Sequence, residues 1–273
     1  MDKYKLQLTN GYYLKFTDVS RLLKYIYENK DKKSFFSKEF ISNLGITENH
    51  FESLSAFSIA LGLINGKIFT LTELGLFISK YDIYFDKEDT LFILHYNISS
   101  IQRNVVWNRL INRIMQENSD INTEIALSYY KDLSSYYSEK TIKNKLPKEL
   151  LSAFFSYGEQ NFTNLNILEK IGTGKYKIKD SKICPSQSFM YSLLHFRDMY
   201  FTGSTALLIN DIISMENSPG KIMFLDKYKT NDLLEKLHSK GDIRIETVGD
   251  LNQIRFSSEI TKEKILKNIY EVS

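Results

Sequence analysis

Lys140, Lys143, Lys145 and Lys148 place four ammonium groups in one short stretch. Cations at such spacing can neutralise successive phosphates, the interaction that supplies most sequence-independent affinity for DNA. A solvated helical face would carry the same pattern. A second group lies earlier in the chain. Asn49, His50 and Ser53, with Glu52 among them, are short polar side chains at the start of an expected helix that follows a helix and a Gly-containing turn. In a helix-turn-helix the second helix meets base edges through residues of this kind, and Lys38, Lys67 and Lys80 stand where phosphates would be reached. The competing reading of this unit is a structural or protein-docking one.

Other chemistries fail on spacing. Gly172-Thr173-Gly174-Lys175 resembles part of a phosphate loop, but Glu169 stands where its first glycine is needed and Tyr176 where Ser or Thr should follow the lysine. The histidines His50, His95, His195 and His238 are scattered and Cys184 is alone, so no ligand spacing for a metal arises. His95 falls on an apolar segment and reads as a core residue. Asp82, Asp86, Glu88 and Asp89 suit helix capping and ion pairing. Asp242 and Glu246 share one strand face, but Val248 replaces the lysine that a restriction-type nuclease site requires. Arg109 and Arg113, four apart with Asn112 beside them, suit either a phosphate backbone or the acids Asp82, Asp86 and Asp89. The chain is therefore expected to be non-catalytic, with no cofactor and no metal.

The elements that carry these residues follow from periodicity and capping. Residues 1–17 alternate apolar and polar, as YKLQL and YYLKF, around Asn10-Gly11, which predicts a short strand pair, and Asp18 would cap a helix from Val19 to Glu28. NKDKK (29–33) reads as a linker. Ser37 would cap a short helix ended by Gly45, Thr47 the next helix, and Asn65-Gly66 marks a hairpin before a helix opened by Thr72. That order, over Ser37 to Gly75, is a winged helix-turn-helix. Further helices are expected from Asp86 to Asn97, Ile101 to Met115, and Asn122 to Tyr137. Ser138 to Lys145 reads as a short basic piece, Pro147 as the start of a helix to Phe155, and residues 167–178 as a hairpin. Helices at Ser186 to Tyr200 and Thr205 to Met215 precede a turn at Asn217 to Gly220. Thr230 would cap a helix to His238, strands turning at Gly249-Asp250 fill Asp242 to Phe256, and a helix closes the chain from Thr261 to Tyr270.

The totals agree with a helix-rich globular protein. Of 273 residues, 42% are hydrophobic and 25% charged, with three prolines and a net charge of +3. No apolar run suits a membrane span and no apolar leader opens the chain, so a cytoplasmic protein is expected.

The chain resembles a bacterial family, the domain of unknown function 4007. The carriers are Leu44-Gly45, Leu61-Gly62-Leu63-Ile64, Leu71-Thr72 with Gly75, and Asp89-Thr90-Leu91 with Leu94-His95. Trp107 with Asn112, Ser218-Pro219-Gly220, and Thr247, Gly249, Leu251, Gln253 and Ile254 complete them. Glu48 and Glu52 depart from it, standing where the family is more basic. The resemblance implies companionship with DNA phosphorothioation and related phage-defence systems, and it brings no catalytic residues.

The expected fold is mainly α with small β-hairpins, arranged as winged helix-turn-helix-like units joined by a helical middle. An N-terminal domain would cover 1–82, the helical middle 83–200 and a C-terminal unit 201–273. The expected function is that of a DNA-associated accessory protein binding duplex DNA through Lys38, Asn49, His50, Ser53, Lys67, Lys140, Lys143, Lys145 and Lys148. The alternatives are a scaffold docking on a modification or restriction enzyme, and a regulator of its own operon.

Overall fold

A computed structural model describes residues 4–29, 37–248 and 251–271. It is mainly helical with three small antiparallel sheets. The chain runs α1 (Phe16–Glu28), α2 (Ser37–Leu44), α3 (Glu48–Ala60), β1 (Ile64–Asn65), β2 (Thr70–Leu71), α4 (Glu73–Tyr81) and α5 (Glu88–Ser100). α6 (Val105–Arg109) runs through a π-helical turn at Leu110–Ile114 into α7 (Met115–Glu117). Then come β3 (Asp120–Asn122), α8 (Thr123–Ser128), α9 (Glu139–Gly158), β4 (Leu168–Gly172) and β5 (Lys175–Ile178). The last third holds α10 (Ser186–Tyr200), β6 (Ala206–Leu208), α11 (Ile209–Ser214), α12 (Pro219–Ile222), α13 (Lys227–Ser239), β7 (Ile243–Val248), β8 (Leu251–Phe256) and α14 (Lys262–Tyr270).

One element order recurs. After α6–α7 the chain runs strand, helix, helix, hairpin, and β3 pairs with β5 to give the sheet order β3-β5-β4. After α10 the order repeats as β6, α11, α12, α13 and the β7–β8 hairpin, with sheet order β6-β8-β7. The first unit, α1 to β2, has the hairpin alone. Strand β6 lies in a stretch whose sequence suggests helix, and β3 lies almost wholly between two expected helices, where no element was expected. They are too short to show a period-2 pattern and exist because a hairpin further along the chain supplies a partner.

α5 is the centre. Every residue from Thr90 to Ser100 is buried, so beyond its first two residues the helix has no solvent face. Most of its polar groups are therefore bonded internally. Asn97 Nδ2 donates to the Leu61 carbonyl, the Tyr96 hydroxyl donates to the Asn217 carbonyl, and the Ser99 carbonyl accepts from Asn108 and Asn112. Asn217, in the left-handed region at φ 67°, also donates its N–H to Asn112 and accepts from Asn108 at its side-chain oxygen.

Several boundaries differ from expectation. Residues 4–15 form no strand; Asn10 and Gly11 both take positive φ in a tight turn closed by Tyr12 N–H to the Thr9 carbonyl. α1 starts at Phe16, and Asp18 sits inside its first turn, accepting from Lys15 N–H. Thr47 and Thr72 do cap α3 and α4. Asn65 does not form a two-residue turn; it ends β1, accepts from Lys67 N–H, and the chain returns through Phe69 at positive φ. Asp82, not Asp86, prepares the start of α5, accepting from the N–H groups of Asp86 and Lys87 and from the Thr90 hydroxyl. Asp226, not Thr230, caps α13. α9 is one helix with Pro147 inside it, because its one missing N–H falls opposite the carbonyl of the exposed Lys143, on the solvent side of the helix. Residues 30–33 of the expected linker and the turn at Gly249-Asp250 lie outside the described residues.

Candidate nucleic-acid interface

α9 begins at Ser138, whose hydroxyl accepts from Thr141 N–H at 3.2 Å. Its inner side is set by Leu146, Glu149, Leu150, Ala153 and Phe154, all buried. That leaves Lys140, Lys143, Lys145 and Lys148 exposed, and none of the four has an ion-pair partner among the described residues. At about 3.6 residues per turn they spread over roughly 200° of the helix rather than along one stripe. Neighbouring lysines elsewhere are spent on acids: Lys170 on Glu159, Lys179 on Glu169, Lys182 on Glu88.

The rotation of α9 is fixed from beneath its lysines. Glu149 is fully buried and accepts from Trp107 Nε1 at 2.8 Å and from both the N–H and the hydroxyl of Thr9. Burial raises its pKa, and these donors work against the rise. One turn further on, Ser152 donates to the Tyr12 carbonyl, and its hydroxyl oxygen lies 2.9 Å from that of Thr9. The turn at Asn10-Gly11 is thus laid on α9, and a Cβ on Gly11 would stand 3.2 Å from that of Lys148. Its other side meets α3. Asn10 Nδ2 donates to the Ser53 hydroxyl at 2.8 Å, and the Tyr12 ring stacks on His50 at 4.8 Å. Residues 9–12 therefore join the start of α3 to the middle of α9, bringing His50 and Lys148, far apart in sequence, to the two sides of one turn.

Within the first group, Asn49 is exposed and its carbonyl accepts from Ser53. Ser53 is a correction: it is fully buried, with its hydroxyl committed to Asn49 and Asn10, so it faces the protein. Lys38 on α2 and Lys67 in the β1–β2 loop are exposed, as are Glu48 and Glu52 beside the α3 start. Arg109 and Arg113 pair with Asp132 and Glu216 rather than with Asp82, Asp86 or Asp89. Arg109 makes a two-pronged bond to Asp132 at 2.6 and 2.8 Å that holds the Asp132 carboxyl below its ordinary range. His95 is in the core, with Nδ1 facing the Tyr157 hydroxyl at 2.7 Å and Nε2 the Ile222 carbonyl at 2.9 Å.

Two sets of exposed, unpaired cations escaped the sequence reading. Lys175 and Lys177 flank the buried Tyr176 on β5. Lys227 and Lys229 flank Tyr228 at the start of α13. The signal in both is Lys-Tyr-Lys beside a turn or cap. Among the described residues no group of three or more His, Cys, Asp or Glu side chains converges to hold a metal ion. Cys184 is buried against Met223, and burial raises its pKa, so it offers no reactive thiolate. No helix among the described residues is long and apolar enough to cross a membrane.

These features define a mainly helical protein built on repeated helix-and-hairpin units, with a free lysine cluster on one long helix. The chain belongs to the family described as protein of unknown function (DUF4007), which matches residues 12–270. No curated protein matches it. Among solved structures it is similar to one described as a magnesium ion-bound SspB crystal structure, with TM-score 0.74 and 12% identity over 98% of this chain and 89% of that one. It is likewise similar to an SspB crystal structure at TM-score 0.72, with the same identity and coverage. At this identity the likeness concerns the fold.

Proposed function

We propose that the protein is a non-catalytic, duplex-DNA-binding accessory protein acting in the setting that the family resemblance implies, a bacterial phage-defence or DNA-modification system of the phosphorothioation type. In this reading the recurring units are winged helix-turn-helix-like. α9 is the last helix of its unit before the hairpin, and the β4–β5 hairpin is its wing. The observation that carries the reading is the set of exposed lysines Lys140, Lys143, Lys145 and Lys148, free of acid partners, on a helix anchored from below by Glu149. Free cations on a preordered helix release counterions when they meet phosphates, which favours binding. Lys175 and Lys177 on the wing strand would extend the contact.

The first unit supports a different role. Glu48 and Glu52 flank the start of α3 and Ser53 is turned inward, so this unit suits docking on a partner protein. A salt-titrated binding measurement on random duplex decides the DNA reading. Binding is expected at Kd of about 1–100 μM near physiological salt, tightening as salt falls. Replacing Lys140, Lys143 and Lys145 by Glu should weaken it while the far-UV circular dichroism and melting temperature stay unchanged. A wild-type Kd above about 100 μM at low salt would leave the scaffold role as the better account.

A further inference from the structure

The third unit carries its own exposed surface, with a different chemistry from α9. Tyr228 is 85% exposed, more than any other exposed large hydrophobic side chain among the described residues. It is the second residue of α13, as Lys140 is the second residue of α9. Lys227 and Lys229 stand on either side of it, exposed and with no ion-pair partner among the described residues. Lys221, on the short helix α12 that leads into α13, is a third cation with no acid partner among the described residues. Asp226, the nearest acid in the sequence, accepts from the Lys229 N–H at Oδ1 (2.8 Å), and Asp232 is held by Lys236.

A single exposed aromatic is ordinary on a protein surface. This one differs in its flanks. A ring alone would favour an apolar partner, whereas a ring between two free ammonium groups offers a stacking face and phosphate contacts together. That pairing fits a nucleic acid whose bases are unstacked, because a duplex presents its phosphates and grooves but hides the faces of its bases. The core does not account for the ring either. Thr230 faces inward two residues on, and Leu233, Leu234 and Leu237 supply the buried side of α13. Tyr228 contributes nothing to that side.

We propose that the start of α13 is a second nucleic-acid site that takes an unpaired DNA strand, with Tyr228 stacking on a base and Lys227 and Lys229 contacting the flanking phosphates. It is separate from the α9 surface and does not depend on duplex binding there.

The test is fluorescence anisotropy with a labelled oligothymidylate and, in parallel, a blunt duplex, on wild type, Tyr228→Ala, Tyr228→Trp, Lys227→Glu with Lys229→Glu, and the triple Glu variant of α9. Tyr228→Ala should weaken single-strand binding about tenfold, the range expected for one stacked base, and leave duplex affinity within about twofold. Tyr228→Trp should retain single-strand binding, and the double Lys variant should reduce it and flatten its salt dependence. The α9 variant should lose duplex affinity while keeping its grip on the single strand. Unchanged single-strand affinity in Tyr228→Ala, an equal loss on both ligands, or a wild type that does not bind the single strand would each overturn the proposal. The duplex arm reads the α9 proposal separately, so either can fail alone.

Discussion

Trp107 donates its indole N–H to the buried carboxylate of Glu149 at 2.8 Å, and Glu149 immediately follows Lys148 on α9. The bond ties the rotation of the lysine-bearing helix to α6. Trp107→Phe keeps most of the ring but leaves a buried carboxylate short of one donor. It should cost about 1–3 kcal/mol. Chemical denaturation should show this as a lower midpoint with an unchanged slope.

Acid sensitivity follows from the histidines. His95 is fully buried, and burial lowers its pKa to about 4, against about 6.5 in an unfolded chain. Between those values the unfolded state binds the extra proton. Stability is therefore full above about pH 6.5 and falls as the pH drops towards about 4, by at most about 3 kcal/mol from this group. His195, lowered to about 4 by burial with Lys262 adding to it, acts in the same direction. Glu149 acts oppositely, since its raised pKa favours the protonated native state as acid is added. Urea midpoints should fall between about pH 7 and pH 5, and a His95→Gln variant, weaker overall, should fall less steeply.

Gly75 sits where α4 crosses the β1 end of the first hairpin. A Cβ there would lie 2.1 Å from the Leu63 carbonyl oxygen, and one on Gly220 would lie 2.7 Å from that of Ile212. Both neighbours are backbone and cannot swing aside. Gly75→Ala should be the more damaging, destabilising by at least about 3 kcal/mol, with loss of soluble yield or a large drop in melting temperature as the measure.

Pro147 interrupts the hydrogen-bond ladder of α9 without breaking the helix. Its removal restores an N–H opposite the Lys143 carbonyl. Pro147→Ala should stabilise the protein by about 1–3 kcal/mol, read as a raised melting temperature.

If the α9 lysines contact phosphates, the slope of log affinity against log salt should shallow by about 0.9 for each one removed. Single Lys→Ala variants at Lys140, Lys143, Lys145 and Lys148 measure this one contact at a time. Lys38→Ala and Lys67→Ala, on the first unit, provide the comparison.

Much of this protein was legible locally. The Thr47 and Thr72 caps, the 167–178 and 242–256 hairpins, the burial of His95 and the lysines of α9 follow from periodicity, caps and turn residues. Each needs only neighbours a few residues away. The residues that carry the family resemblance, such as Trp107, Asn112, His95 and Gly220, proved to be buried ties between elements rather than a surface site.

What only the tertiary structure decided lies in partners distant along the chain. β3 and β6 become strands because β5 and β8 come to meet them. Arg109 is spent on Asp132, while the four lysines of α9 have no acid partner among the described residues. Thr9 meets Glu149 across 140 residues, and the turn beside it joins His50 to Lys148. Composition and spacing determined that the chain would be helical and carry a cationic stretch. Which cations stay unpaired, and which lie together, depends on contacts that local sequence does not encode, because the energy of an ion pair or buried hydrogen bond depends on distance in space.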